Sequence, residues 1–302
     1  MLKPFLRLCS LALSLSTLAA CAGGGGTGEN LTANTEPTSC EVSGHSFGIV
    51  GGKTLGSGNE LSSSTVMVVH IDDDKKESVC TGTLIDDDKV LTAAHCTQRF
   101  AGTTVIAFSN NVDCVLNAPK RTLRMVVQRA IPDDYIYSKN TSWTNSSYDL
   151  AILKFRGGLA PGYKVRELPS AGFQINAADT LVMAGYGVTN ENTKDSGLLR
   201  FTTASGERIS DRFHLALANH VIKIPQTLVL EQQDNGVCKG DSGGPLYAKT
   251  PQGLVLVGIT SMGVDHRTKD EKNSRVCHGV GIFTDLRDNL PWIREQLEAL
   301  KL

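Results

Sequence analysis

CKGDSGGP, residues 238–245, sets three glycines and a proline around an acid and a serine. Taken alone, that run reads as a glycine-rich turn. It has company, however: LTAAHC lies at 91–96, YDLAIL at 148–153 and FGIVGG at 47–52. A lone AAHC is equally well a buried histidine beside a disulfide. Four such motifs in one register leave both bland readings little room.

Around these motifs the chain is built of short apolar runs broken by Gly, Asn and Asp. The spacing predicts strands over 64–71, 79–85, 89–95, 122–128, 149–155, 180–187, 254–262 and 281–286. Short strands at this density imply a sandwich or barrels. IDDDKK and IDDDKV, at 71–76 and 85–90, invite a reading as protease-sensitive or metal sites, yet each sits where a strand ends, which favours solvated turns. The last sixteen residues, RDNLPWIREQLEALKL, place Ile293, Leu297 and Leu300 at helical spacing and predict a closing amphipathic helix. With 302 residues and 40 % hydrophobic content, the chain can bury one large core or two small ones. Thirty glycines fit a mainly β chain. A net charge of −1 with 20 % charged residues gives no nucleic-acid surface, acidic tail or polybasic membrane patch.

The N-terminus reads differently. Lys3 and Arg7 precede an apolar stretch of thirteen residues, Leu8 to Ala20, which is short of the roughly 20 that span a bilayer and reads as a signal h-region. Leu18-Ala19-Ala20-Cys21 resembles the lipobox of bacterial lipoproteins, with lipidation at Cys21; the alternative is an ordinary secretory signal cut after Ala22. The tract CAGGGGTGENLTANTEPTS has almost nothing to bury and reads as a flexible tether. The expected organisation is a signal over 1–20, a lipid-anchored linker and propeptide over 21–48, and a folded domain over 49–302. Asn30, Asn140 and Asn145 lie in glycosylation sequons, which read as surface polar residues beside a bacterial signal.

Together IVGG, LTAAHC, YDLAIL and CKGDSGGP resemble the trypsin-like (chymotrypsin-fold) serine peptidases, from about Ile49 to the C-terminus, and the order His, Asp, Ser is that family's order. The resemblance implies an all-β fold of two packed six-stranded antiparallel β-barrels with a C-terminal α-helix. It implies catalytic roles for His95, Asp149 and Ser242, with Ser261 hydrogen-bonded to the aspartate. A serine alcohol is a weak nucleophile at neutral pH, so Ser242 needs His95 as base, and Asp149 holds the imidazole. The N–H groups of Gly240 and Ser242 form the oxyanion hole. Asp241 accepts an ion pair from the α-amino group of Ile49 after cleavage. Before cleavage it lacks that partner, so the local structure of the uncut chain is expected to differ. Most relatives carry Arg or Lys before the Ile, whereas this chain has Ser46-Phe47-Gly48. Another protease cutting after Gly48, activation in trans, or trimming after a nearby cut all remain open.

In the family, the residue six before the nucleophile lies at the base of the pocket for the side chain preceding the cut (P1). Here it is Gly236, followed by Val237, and neither can pair with a buried cation, so an apolar P1 is expected. Gly263 and Gly281 match wall positions and are read as leaving the pocket without bulk. Met262 stands where a Trp usually lies, making a flexible wall. Of eight cysteines, Cys9 falls in the signal and Cys21 in the lipobox. The resemblance pairs Cys80 with Cys96 and Cys238 with Cys277, which requires an oxidising compartment. Cys40 and Cys114 are left over, and a disulfide between them would keep the anchor joined to the catalytic domain after activation. Zinc is a poor alternative, since no CxxC or HExxH arrangement occurs, and no cofactor is expected.

The reading is thus an exported, lipid-anchored or secreted zymogen of a serine endopeptidase, acting on proteins or peptides and dependent on an activating protease. One alternative is a processing protease of very restricted specificity. Another is a catalytically silent binding or adhesion protein of the same fold, usually marked by a lost His or Ser, both present here. A lipase or esterase would want a GxSxG elbow, which GDSGGP lacks.

Overall fold

The structure, a computed structural model, describes residues 49–301 except 56–58, 98–101, 113–114, 116–121, 136–147, 194, 211, 216–219, 266 and 268–274. The expected signal and propeptide, with Cys21, Asn30 and Cys40, lie outside the described residues, as do Cys114, Asn140 and Asn145.

A two-residue strand, β1 (Lys53–Thr54), precedes β2 (Thr65–Ile71), β3 (Glu77–Asp86), β4 (Lys89–Thr92), β5 (Thr103–Ala107), β6 (Leu123–Ala130) and β7 (Ala151–Phe155). Strands β2 to β7 close a six-stranded barrel in the order β2-β3-β4-β7-β6-β5, all pairs antiparallel. The second half contains β8 (Thr180–Gly185), β9 (Arg200–Ser205), β10 (Ile209–Ser210), β11 (Arg212–Leu215), β12 (His220–Lys223), β13 (Thr227–Glu231), β14 (Pro245–Thr250), β15 (Gly253–Val264) and β16 (Val280–Asp285). Here the ladder runs β1-β9-β8-β14-β15-β16-β13-β10, with β11 and β12 as a separate ribbon. Six longer strands carry this half, and the two-residue β1 and β10 end it, so it is a half-barrel sheet. The chain closes with helix α1 (Leu286–Ala299), capped by the Asp285 carboxylate accepting from Arg287 N–H.

Strands such as β2 and β8 are near-continuously apolar because both of their faces are covered. Alternate residues go to different cores. On β2, Val66 and Val68 join a cluster made wholly of first-half residues, whereas Met67 and Val69 join one shared with the second half and the helix. On β8, Val182 and Ala184 face that shared seam, while Leu181 and Met183 join the second half's own core. Helix α1 contributes Leu286 and Ile293 to the seam, with Leu297 packed against it. The seam is what holds the two halves in register.

IDDDKK forms the β2–β3 turn, where Lys76 N–H donates to the Asp72 carboxylate at 2.8 Å. In IDDDKV the turn acids Asp86, Asp87 and Asp88 are half-buried or exposed, as in a solvated turn, while Lys89 at the start of β4 is buried and its ammonium pairs with Asp86 at 2.9 Å and Asp88 at 2.6 Å. Its own strand pairing with Lys154 draws it inside, and the two acids supply the partners a buried ammonium needs.

Candidate active site

Strand ends deliver the three candidate catalytic residues to the seam. His95 lies in a single 3-10 turn (Ala94–Thr97) just after β4, Asp149 just before β7, and Ser242 just before β14. The Asp149 side chain is buried and accepts three hydrogen bonds. His95 N–H donates to Oδ1 at 2.9 Å, His95 Nδ1 to Oδ2 at 2.7 Å, and Ser261 Oγ to Oδ2 at 2.7 Å. A carboxylate can only accept here, so the proton sits on Nδ1 and leaves Nε2 as the basic nitrogen. Burial of the ring opposes protonation, but the Asp149 charge and hydrogen bond outweigh it and raise the His95 pKa above 6.5.

A break in the sheet supplies Ser261. Thr260 pairs with Phe283 and Met262 with Ile282, leaving Ser261 without a place in the β15–β16 ladder. Such a bulge re-aims a side chain. It turns the Ser261 hydroxyl to Asp149, while the Ser261 carbonyl accepts from Ser242 Oγ at 3.4 Å. No hydrogen bond joins Ser242 Oγ to His95 in this conformation; catalytic contacts of this kind tighten when substrate is bound.

Behind the serine, Gly240 has φ 99°, a backbone conformation that favours glycine. The neighbouring amides of Asp241, Gly243 and Gly244 donate to Cys238, Thr260 and Asp241 carbonyls. Gly240 and Ser242 N–H have no acceptor among the described residues, so two donors stand open beside the serine. Thr81 on β3 fixes this loop across the seam: its N–H donates to Ser242 O at 2.8 Å and its hydroxyl to Gly240 O at 3.0 Å. Tyr186 N–H donates to the same hydroxyl at 3.1 Å. Sequence reasoning missed Thr81, since nothing local marks a hydroxyl whose partner lies 159 positions away.

Asp241 is wholly buried, and its carboxylate accepts from Gly187 N–H and Cys238 N–H, each at 2.8 Å. Burial pushes its pKa up from 3.8 to about 7 against those two bonds. Among the described residues no cation pairs with it. A Cβ on Gly185 or Gly187 would fall 2.2 or 2.5 Å from this carboxyl group, so both must be glycine. Ile49 and Val50 are both buried. Val50 N–H donates to Gly236 O at 3.1 Å and Gly236 N–H to Val50 O at 3.2 Å, and Ile49 packs with Leu181, Met183 and Phe283. Apolar burial drives this insertion, at about 1.5–3 kcal/mol for a fully buried isoleucine. The cost appears as a φ of 43° at Ile49, an outlier for a β-branched residue.

A Cβ on Gly236 would fall 2.3 Å from Gln232 Cδ, one on Gly263 2.6 Å from Val276 O, and one on Gly281 2.9 Å from Gln232 Oε1. A close neighbour requires glycine at each of these three positions. Val237 is buried, and Met262 is half-buried against Ile224, Val229, Val280 and Ile282. Two disulfides brace the site: Cys80–Cys96 beside the His95 turn and Cys238–Cys277 beside the serine loop. Cys80, His95 and Cys96 bring potential metal-ligand atoms within 4.8 Å of one another, but the disulfide leaves that group no thiolate.

A histidine, an aspartate and a serine are carried by strand ends to the seam of two β halves, beside amides without an acceptor among the described residues, and make a candidate hydrolase site. Residues 50–293 match the trypsin family model, and the chain belongs to that family of serine proteases. It is similar to ovochymase-2 of Mus musculus, 30 % identical over 236 residues. That match covers 74 % of this chain and 38 % of the mouse protein, so the chain spans well under half of that relative's length. The disulfides and the family fit an extracellular or secreted protein.

Proposed function

We propose that this chain is the zymogen of a serine endopeptidase, activated by cleavage before Ile49, that cuts peptide bonds after uncharged, mainly apolar residues. The observation that carries this reading is the Asp149 carboxylate binding both the backbone and the ring of His95, with Ser261 and open amides beside Ser242. Ser242 Oγ attacks the scissile carbonyl carbon and passes its proton to His95 Nε2. The amides of Gly240 and Ser242 stabilise the oxyanion, each typically by about 3–4 kcal/mol. His95 returns the proton to the leaving amine as the C–N bond breaks. Water then attacks the acyl-serine with His95 again as base, releasing the acid and restoring Ser242.

Two features support activation before Ile49. The torsion φ at Ile49 is defined through the carbonyl carbon of Gly48, so hydrolysis of that bond removes the outlier, which costs about 1–3 kcal/mol. Cleavage also creates an ammonium at Ile49, and Asp241 is a buried carboxyl with no cation among the described residues. Cys21 anchors the propeptide to a bacterial envelope, and a Cys40–Cys114 disulfide keeps the activated domain attached.

The test compares three proteins: the uncut chain, the chain cut to begin at Ile49, and the cut form with Ser242→Ala or His95→Ala. Only the cut wild type should hydrolyse peptides, preferring Leu, Met, Phe or Tyr before the cut over Arg or Lys. Equal activity of the uncut chain would defeat the zymogen reading. In a membrane fractionation, the cut enzyme should stay bound until reductant is added, and soluble activity without reductant argues against the tether.

A further inference from the structure

We infer that Gln232 forms the floor of the P1 pocket, limits it to uncharged side chains of leucine or methionine size, and is the reason residue 236 is glycine. The inference rests on the endopeptidase reading above and narrows its substrate class.

Gln232 follows β13 and is only 4 % exposed. Its carboxamide is held from three directions: Nε2 donates to Val237 O at 3.2 Å and Val276 O at 3.4 Å, and Oε1 accepts from Val237 N–H at 2.6 Å. A flipped amide would set oxygen against two carbonyls and NH2 against an N–H, so the orientation is fixed. The group stands where a side chain at 236 would go, since a Cβ there would lie 2.3 Å from Gln232 Cδ and 2.4 Å from Oε1. Gly236 cannot retreat to make room, because the paired hydrogen bonds with Val50 pin it from the other side.

Beside Gly281 the same carboxamide closes the base. A Cβ placed there would meet Gln232 Oε1 at 2.9 Å, Phe283 Cε2 at 3.1 Å and Val237 Cγ2 at 3.2 Å. A floor made of an aliphatic side chain, a ring edge and a neutral amide offers no countercharge to arginine or lysine. Both amide hydrogens are already engaged, and a base closed by this carboxamide and the Phe283 ring edge is the ground for the proposed size limit. The polar part of the floor is thus supplied by a residue four positions upstream of the family's usual place, and it is neutral.

The experiment uses the chain cut to begin at Ile49 and peptides that differ only at P1: Leu, Met, Tyr, Trp, Arg and Lys. Wild type should favour Leu and Met. Gln232→Ala should raise the Tyr-to-Leu ratio of kcat/KM by about tenfold or more. Gln232→Ser, which empties the same space with a small polar side chain, should do likewise and covers the case where alanine misfolds. Gln232→Met, which keeps the bulk, should leave the ratio unchanged. Gly236→Asp alone should gain no cleavage after Arg or Lys, whereas Gly236→Asp with Gln232→Ala should gain it. A folded Gln232→Ala or Gln232→Ser enzyme that loses activity equally on all six peptides overturns the inference. So does Gly236→Asp alone cleaving after Arg, or a wild type dominated by Arg and Lys. A mature wild type inactive on every peptide instead sinks the endopeptidase reading.

Discussion

At His95 two opposing effects meet, and their balance sets a measurable pH dependence. Burial disfavours the imidazolium, while the Asp149 carboxylate at 2.7 Å favours it more, and the net shift is upward from 6.5. The base form is neutral, so kcat/KM of the cut enzyme should fall as pH drops, with its midpoint above the ordinary imidazole value. Asp149→Asn removes the favourable charge, so the limb should move below the wild-type midpoint while activity at neutral pH falls by several orders of magnitude. The same group has the opposite effect on stability. A histidine whose folded pKa is raised stabilises the fold below its unfolded value and loses that contribution as pH rises through the folded one. Activity and the His95 share of stability should therefore change in opposite directions with pH. A pH–rate profile whose midpoint is the same in wild type and Asp149→Asn would assign the limb to another group.

At the scale of elements, the turn Gly185-Tyr186-Gly187 joins the buried acid to the first barrel. The Tyr186 hydroxyl reaches Ser109 O at 2.8 Å and Thr65 O at 3.2 Å, and its flanking glycines make room for Asp241. Gly187→Ala should push the carboxylate away and disturb the adjacent oxyanion donors. The expected result is a loss in kcat of about 10²–10³, comparable to removing one such donor, with destabilisation of about 1–3 kcal/mol from overpacking. Gly172→Ala, where a Cβ meets nothing within 4 Å, is the control and should change neither. Wild-type kcat in Gly187→Ala would break the link between this turn and the hole.

Those glycines also show what the sequence could reveal. Eight strands and the closing helix were legible because apolar residues alternate or cluster there, as in β2 and β8. The strands β9 (RFTTAS) and β14 (PLYAKT) mix charge and hydroxyls into their pattern, and their pairing with β8 is what makes them strands. His95, Asp149 and Ser242 were legible as motifs. Thr81 and Gln232 were not, because their roles arise only when distant segments meet. For the pocket glycines the sequence gives the identity but hides the neighbour that requires it.

Across the whole molecule, the segment after Ile49 is the point where cleavage can reach the site. Val50 pairs with Gly236 at the proposed pocket base, the Asp241 carboxylate accepts from both Gly187 and Cys238, and Thr81 ties the serine loop to the first barrel. In the uncut chain Asp241 has a folded pKa of about 7 against 3.8 for a free carboxyl. Between those values the folded state binds more protons than the unfolded state, so uncut protein should lose stability as pH rises from about 4 to 7. Over that range the loss should amount to a few kcal/mol, following the conversion of about 1.4 kcal/mol per pKa unit. After cleavage the Ile49 ammonium, with an ordinary pKa near 8, favours the carboxylate and reverses the sign. The Asp241 contribution is then present above the unfolded value and lost as pH falls. Other described groups titrate in both forms, so the difference between them isolates this pair. The measurement is Tm by calorimetry at pH 5 and pH 7 for uncut and cut Ser242→Ala protein, in which self-digestion cannot occur. The gap in favour of the cut form should widen at pH 7, and Asp241→Asn should remove the pH dependence of that gap. Parallel curves for cut and uncut protein would show that Asp241 does not sense the new N-terminus, and with it the coupling from cleavage to the oxyanion hole would fail.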